Sequence, residues 1–402
     1  MPFVLGTIRR ATAEAWITAL SGMAALAVAM GIGRFAFTPI LPMMQEDAGL
    51  TVTQGAWLAA ANYGGYLVGA LSAMRSHIRP QLAIRAAMLL IALTTLAMAF
   101  EAGLIMRMVL RTLPGMASAW ILVFVSAWAL ERLGALGQPH LSGMVYAGVG
   151  VGIVAAGIVC MALLNASSTS HAAWTILGLG SLAITALVWN RTAPDAPAPV
   201  SPAAPMTRAA AAPEFWRFVF CQGALGFGYI IPATFLPLMA KQIVVDPAVF
   251  GWAWPVFGAA AAASTLFAAR AAGSIGERAL WILGNSIMAI GVLIPLAFPN
   301  LPGIVIAALC VGGTFMVVTM VGMQEARRVG GAQARTLMAA MTSAFAVGQI
   351  LGPLCVSALA TFGHGFTPAL VAAAVALLLA AFALYRQPRA DVPRGLRNPD
   401  AR

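Results

Sequence analysis

Long apolar runs recur along the whole chain and limit what it can fold into. A run of about twenty such residues spans the hydrocarbon core of a bilayer as an α-helix, whereas a barrel strand needs only about 9–11. Lipid offers no hydrogen-bond partners, so the backbone of each run must satisfy itself. The pattern predicts an all-α polytopic membrane protein with twelve transmembrane helices, at residues 16–42, 55–74, 82–100, 104–130, 142–164, 171–190, 215–240, 249–269, 280–298, 302–324, 337–360 and 366–385.

Charged side chains are rare and lie mostly on one side of these spans. They make up 9% of the residues, well below the quarter or so that is typical of soluble domains. The positive-inside rule makes the loops richest in basic residues cytoplasmic, and with them both termini. The net charge of +11 therefore fits a multi-pass inner-membrane protein with the bilayer, and not nucleic acid, as its partner. Of the 23 basic residues, 19 fall on this side: Arg9, Arg10, Arg75, Arg79, Arg85, Arg132, Arg191, Arg208, Arg217, Arg270, Arg278, Arg327, Arg328, Arg335, Arg386, Arg389, Arg394, Arg397 and Arg402.

A segment of the first span returns in the second half of the chain. Residues 31–42 read GIGRFAFTPILP, and residues 226–237 read GFGYIIPATFLP at an offset of 195 positions. A repeat over half the chain is typical of transporters built from two related halves. We therefore predict two pseudo-symmetric six-helix bundles at residues 1–190 and 214–386, a cytoplasmic Pro/Ala-rich linker at 191–213 and a disordered cytoplasmic tail at 387–402.

Two arginines stand inside apolar spans. A guanidinium at bilayer depth costs about 2.5–3.5 kcal/mol on insertion scales, so each should face the protein interior or a watered cavity. Counted at ~1.5 Å per residue, Arg34 and Arg111 lie ~12 Å and ~10 Å from the same face. They could share a bound anion. Alternatively, Arg111 could bond backbone carbonyls, or Glu101 could neutralise one of the arginines.

The second span carries polar side chains on one face. Asn62 and Tyr66 are one helical turn apart, and Gly65 and Gly69 form a small-residue seam suited to close helix contact. This face could serve interhelical bonding and packing, or it could line and gate a pathway.

Other chemistry is not visible in the sequence. No acidic residue lies near the middle of a predicted span, so no buried carboxylate relay is expected, and coupling could be uniport, exchange, or proton movement with the substrate or through Glu101. Metal, phosphate-loop and hydrolase motifs are also missing. We therefore expect no enzyme activity, no cofactor and no metal site. The cysteines fit as apolar filler: Cys160, Cys221, Cys310 and Cys355.

The order of the spans, together with GIGRFAFTPILP, NYGGYLVGAL and GYIIPATFLP, resembles the major facilitator superfamily and its YbfB/YjiJ-type branch. Arg111, Gly115, Ala117 and Ala119 match the fourth-span RxxxGxxxA pattern of that superfamily. The loop at residues 69–79 lacks the usual aspartate. GQILGP at 348–353 is similar to the antiporter motif, yet it lies in the eleventh span.

The resemblance implies a central cavity lined by spans one, four, seven and ten and exposed alternately to each side by rocking of the halves. Those spans also contribute Thr314 and Thr319. The candidate substrate-binding residues are Arg34, Thr38, Asn62, Tyr66, Arg111, Gln222, Tyr229 and Thr234. The candidate gating or packing residues are Gly31, Gly33, Gly65, Gly69, Gly115, Gly348, Gly352 and Pro353.

The sequence thus favours a monomeric secondary transporter that moves a small organic solute across the inner membrane. An anion is favoured, because the unpaired charges expected at cavity depth are cationic. Two alternatives stay open. A multidrug or amphiphile exporter would use Phe35, Phe37, Phe227, Met316, Met320 and Met323, with structural arginines. A membrane-embedded enzyme or sensor would need a catalytic cluster or an output domain.

Overall fold

The computed structural model describes residues 2–192, 213–243, 252–360 and 367–386, and all regular structure in these ranges is helical. The N-terminal helices are α1 (Pro2–Leu26), a π-helical segment (Ala27–Phe35), α2 (Phe37–Asp47), α3 (Val52–Arg75), α4 (Pro80–Ala97), α5 (Leu104–Ala135), α6 (Ser142–Asn165) and α7 (Ser170–Val188). The C-terminal helices are α8 (Pro213–Ile243), α9 (Ala253–Ile275), α10 (Glu277–Ala297), α11 (Leu301–Gly330), α12 (Ala334–Ala360) and α13 (Thr367–Tyr385).

Nine segments of the described residues are long and apolar enough to cross a membrane. The prediction of an all-helical chain with several membrane-spanning helices is therefore confirmed. The count of twelve in two bundles stays a prediction, because α3 and α8 are not among the nine and the segment Leu301–Val356 runs over two helices. Most of the predicted linker, residues 193–212, and the predicted tail lie outside the described residues.

Several helices extend beyond the apolar runs that predicted them. The first span was predicted at residues 16–42, but helical structure runs from Pro2 to Asp47 with the π segment inside it. The predicted 302–324 likewise lies within Leu301–Gly330. An apolar run ends where lipid ends, whereas the helix continues into the polar region as long as its own backbone bonds persist.

Side-chain caps fix several helix starts. Thr51 and Gln54 form a capping box at the start of α3, in which each side chain accepts from the other residue's backbone N–H. The Asn300 side chain accepts from the Gly303 N–H at the start of α11. Such caps satisfy backbone donors that have no partner within the helix. These helices therefore begin where the sequence offers a cap.

The N-terminal and C-terminal helices pack against each other over two contacts. In one, α6 meets α9 so closely that a Cβ on Gly150 would lie 2.4 Å from the Gly258 carbonyl oxygen. In the other, α3 packs beside α12, and the rings of Tyr66 and Phe345 lie 6.4 Å apart. Near one end of that contact, Arg335 donates to the Ser76 carbonyl oxygen at 3.0 Å. The candidate site lies between these contacts.

Candidate functional site

The site is built around the π segment that joins α1 to α2. All nine of its residues are buried. A π turn is wider than an α turn and is frequent at functional sites. Pro39 follows the segment and has no backbone N–H to give to the carbonyl four residues earlier, which weakens the regular ladder at this point. Ser118 on α5 supports the segment by donating its hydroxyl to the Ala29 carbonyl oxygen at 2.7 Å.

Arg111 on α5 holds the end of this segment. Its Nη1 and Nη2 donate to the carbonyl oxygens of Gly33 at 3.1 Å and Arg34 at 3.2 Å. Asn62 on α3 donates to the Arg111 carbonyl oxygen at 2.9 Å and, more weakly, to Gly33 at 3.4 Å. The Arg111 guanidinium also lies 4.7 Å from the Phe37 ring centroid. These hydrogen bonds are those of the alternative stated in the sequence analysis, in which Arg111 bonds backbone carbonyls instead of a shared anion.

Arg34 is also buried, at 4% exposure, but it is used differently. Its Nη2 donates to Gln349 Oε1 on α12 at 2.5 Å, and its guanidinium carbon lies 3.7 Å from the Tyr66 ring centroid. Its Nε and Nη1 have no hydrogen-bond partner in the part of the chain that the structure describes, and neither has Gln349 Nε2. Arg34 therefore links the two groups of helices and still has free donors.

Neither buried arginine has a carboxylate partner in the described ranges. The ion pairs of these ranges lie elsewhere: Arg132 with Glu14, Arg217 and Arg278 with Glu214, and Arg328 with Glu325. Glu101, the other possible neutraliser, instead lines an open pocket of about 540 Å³ together with Asp47, Arg107 and His171. The centre of the site is thus cationic.

A small, narrow cavity lies between the two groups of helices and is lined in part by Phe35 and Tyr66, the rings that contact the Arg34 guanidinium. Its volume of about 10 Å³ is close to the smallest space that holds one water. In this conformation the walls therefore lie against each other. The lining consists of Met30, Phe35, Tyr66, Leu122, Gln222, Phe315, Met316, Thr319, Met323, Thr342 and Phe345.

Aromatic rings close this cavity from both sides. Phe35 meets Phe315 edge-on at 6.1 Å, and Tyr229 stacks on Phe315 at 5.0 Å. Trp254 on α9 lies 6.4 Å from Phe35. These distances fall within the ~4.5–7 Å range in which aromatic pairs attract. The rings thus form a contact that crosses from the N-terminal to the C-terminal helices.

The structure brings together most of the predicted substrate-binding residues. Tyr66 and Gln222 line the cavity, and Tyr229 is buried against its wall. Asn62 is buried and bonds backbone carbonyls. Thr38 is exposed and does not line the cavity. The side chain of Thr234 lies outside the described residues.

The predicted packing glycines lie where helices touch. A Cβ on Gly65 would lie 2.1 Å from the Thr112 carbonyl oxygen, and one on Gly115 would lie 2.2 Å from the Asn62 carbonyl oxygen, so α3 and α5 approach backbone to backbone. Pro353 lies inside α12. A Cβ would also lie 2.3–2.4 Å from backbone atoms at Gly31, Gly69 and Gly348. At Gly33 and Gly352 it would instead meet an isoleucine side chain, at 3.0 Å and 2.3 Å.

Sequence reasoning missed Gln349, which is fully buried and bonded to Arg34. The segment GQILGP had been noted only for its glycine and proline. A glutamine in an otherwise apolar run was the signal available, since a polar side chain at membrane depth needs a partner. Its partner is Arg34, 315 positions away.

Comparison with known families gives the site its context. A family model described as "Uncharacterised MFS-type transporter YbfB" matches residues 26–385 of the chain. The chain belongs to this family. The match runs from the edge of the π segment through α13 and confirms the resemblance drawn from the motifs. This MFS-type transporter has no match among curated proteins.

Proposed function

We propose that this transporter moves a small organic anion across the inner membrane by alternating access and that Arg34 contacts the anion. One observation carries the proposal. Arg34 is a buried cation without a carboxylate partner among the described residues, and its Nε and Nη1 have no hydrogen-bond partner there. A carboxylate accepts a strong, charge-assisted hydrogen bond from a guanidinium N–H.

The energetics of burial support the same reading. A buried charge costs several kcal/mol after relaxation, and a partner of opposite charge offsets that cost only when geometry and further bonds are good. An arriving anion would supply the opposite charge and accept a charge-assisted hydrogen bond from one of the free nitrogens of Arg34, Nε or Nη1. It would also lie beside Gln349, whose Nε2 is a further free donor. We therefore assign anion binding to Arg34.

Arg111 has a supporting role in this proposal. Both of its terminal nitrogens donate to carbonyl oxygens of the π segment. Binding an anion there would require breaking these bonds, and the freed carbonyls would lose their strongest donors. In place of two arginines that share an anion, we propose that Arg34 alone binds the anion and that Arg111 holds the backbone of Arg34 in position.

The proposed architecture is twelve transmembrane helices in two six-helix bundles, residues 1–190 and 214–386, in a monomer with both termini cytoplasmic. The side on which basic residues crowd supports this orientation. The contacts of α3 with α12 and of α6 with α9 lie between the proposed bundles. The two bundles would rock about these contacts to open the cavity to one side or the other.

Counterflow in proteoliposomes tests the proposal. The full chain is reconstituted, loaded with one candidate carboxylate and assayed for uptake of a labelled one, with neutral amides of the same shape as controls. Removing one charge-assisted interaction should weaken binding by about ten- to a hundred-fold, so Arg34→Gln should abolish exchange at low solute. Normal exchange by Arg34→Gln, or equal exchange of the neutral amides, would overturn the proposal.

A further inference from the structure

The lining of the cavity limits what can accompany the anionic group. None of the lining residues is charged, and only Tyr66, Gln222, Thr319 and Thr342 carry side-chain polar groups. The two threonines already donate to carbonyl oxygens of their own helices, at 2.8 Å from Thr319 and 2.7 Å from Thr342. The rest of the surface is aromatic, methionine or leucine. Tyr66 Oη and Gln222 Oε1 have no hydrogen-bond partner among the described residues and could meet one or two polar groups of a solute. The rest of a solute bound beside Arg34 must present an apolar body to these walls.

Aromatic rings stand on both sides of the narrow cavity. Phe35 and Tyr66 come from the N-terminal helices, and Phe315 and Phe345 come from the C-terminal helices. The pairs that cross between the groups are edge-on, Phe35 with Phe315 at 85° and Tyr66 with Phe345 at 67°. When the two groups of helices separate, each pair is broken and an aromatic surface is uncovered on both sides.

The size of the cavity shows that a solute must replace these ring contacts. A volume of about 10 Å³ accommodates no organic molecule, so binding requires the facing rings to part. A small anion such as acetate would leave the parted rings facing water. A flat aromatic solute would instead restore contacts with both sides at once, in the offset or edge-on geometries that rings prefer.

The charged end of such a solute has a cradle next to these rings. Arg34 lies against Tyr66, and its partner Gln349 comes from α12, the helix that also carries Phe345. The free donors are Arg34 Nε, Arg34 Nη1 and Gln349 Nε2, and they come from both groups of helices. A carboxylate bound there would link the groups, while its ring lay between them.

We infer that the transported anion is an aromatic carboxylate, with its carboxylate at Arg34 and Gln349 and its ring between Phe35 and Tyr66 on one side and Phe315 and Phe345 on the other. This inference rests on the proposed function and adds the chemical class of the solute. It also accounts for three of the residues that an exporter of amphiphiles would use, because Phe35, Met316 and Met323 line the cavity that would hold the apolar part of the anion.

Binding to the purified full-length protein in nanodiscs, measured by calorimetry, tests the inference. Four probes separate charge from ring: benzoate, cyclohexanecarboxylate of the same charge and similar size, acetate, and neutral benzamide. Each aromatic contact is worth about two- to ten-fold in affinity, so benzoate should bind tighter than cyclohexanecarboxylate by at least the lower figure. Acetate and benzamide should bind most weakly.

Variants assign the effect to the site. Phe345→Leu should remove most of the preference for benzoate over cyclohexanecarboxylate while leaving the affinity for cyclohexanecarboxylate within about two-fold. The matched control is Phe267→Leu on α9, where the ring is 73% exposed, and it should leave all affinities unchanged. Arg34→Gln should weaken both carboxylates.

The possible outcomes distinguish this inference from the proposed function. Equal binding of all three carboxylates, lost in Arg34→Gln, would overturn the aromatic class and leave the anion transporter standing. Binding of benzamide as tight as benzoate, unchanged in Arg34→Gln, would overturn both. If the wild type binds no benzoate, or if Phe345→Leu keeps the full preference, the inference is wrong.

Discussion

Replacing Arg111 by lysine should lower the stability of the folded protein more than replacing Arg34 by lysine. Arg111 gives one donor to each of two adjacent carbonyls of the π segment. A lysine ammonium is a single point on a flexible stem and lacks the fixed fork that reaches two acceptors at once. One of the carbonyls of Gly33 and Arg34 is therefore left without a charged donor in Arg111→Lys.

The magnitude follows from the hydrogen bonds around the π segment. Gly33 also accepts from Asn62 at 3.4 Å, so the carbonyl at risk is that of Arg34. A buried acceptor without a partner costs about 1–3 kcal/mol. In Arg34→Lys no acceptor is stranded, because the ammonium can still donate to Gln349, and the expected cost is below about 1 kcal/mol.

Reversible unfolding in mixed micelles, followed by circular dichroism, measures both variants against the wild type. Benzoate binding by the folded protein is measured in parallel. Arg111→Lys should be less stable and still bind in proportion to its folded fraction, whereas Arg34→Lys should be near wild-type stability and bind weakly. If Arg111→Lys is as stable as the wild type but no longer binds benzoate, the division of roles is wrong and Arg111 contacts the anion.

Four further results are expected. Gly65→Ala should cost folded protein on size exclusion because its Cβ would lie 2.1 Å from the Thr112 carbonyl oxygen, whereas Gly64→Ala, which meets nothing within 4 Å, should not. Arg335→Gln removes the donor to the Ser76 carbonyl oxygen, so cysteines introduced at that end of the contact should be labelled faster, while Arg270→Gln, whose bond stays within its own helix, should change nothing. A reporter enzyme fused near Ala204 should read cytoplasmic and one near Asp246 external; matching signals would contradict the twelve-span topology. Uptake should not depend on a proton carried by a mid-membrane carboxylate. Glu325 is the one carboxylate that is buried among the described residues. If uptake depends on an imposed pH gradient and this dependence disappears in Glu325→Gln, the prediction is wrong.

The helices and the importance of Arg34 could be predicted from the sequence because both depend on local composition. An apolar run of sufficient length has few alternatives to a helix in lipid, and a charge within it needs a protein neighbour. The choice between an anion and backbone carbonyls as the partner of Arg111 could not be made. Both satisfy a guanidinium, and only the position of the π segment decides between them.

Two features depended on geometry that the sequence does not carry. Gln349 on α12 meets Arg34 of the π segment across the contact between the N-terminal and C-terminal helices. No local pattern indicates which distant span supplies a partner. The π segment was also missed. Glycines and a following proline weaken the hydrogen-bond ladder of a helix, but periodicity cannot tell a kink from a widened turn. Thr38 was predicted as a lining residue because the resemblance places the first span at the cavity, and membership of a span does not tell which face of the helix a side chain occupies.

The widened turn also changes how insertions and deletions act on this protein. A π turn holds more residues than an α turn, so Ala27–Phe35 contains length that a continuous α-helix would not need. Each residue advances an α-helix by about 100°. Losing one residue there would turn α2 by about that angle against α1, and gaining one would turn it the other way. A change in the length of this segment therefore rotates α2 relative to α1. The rotation changes which side chains face the solute, although no other residue of the sequence is substituted.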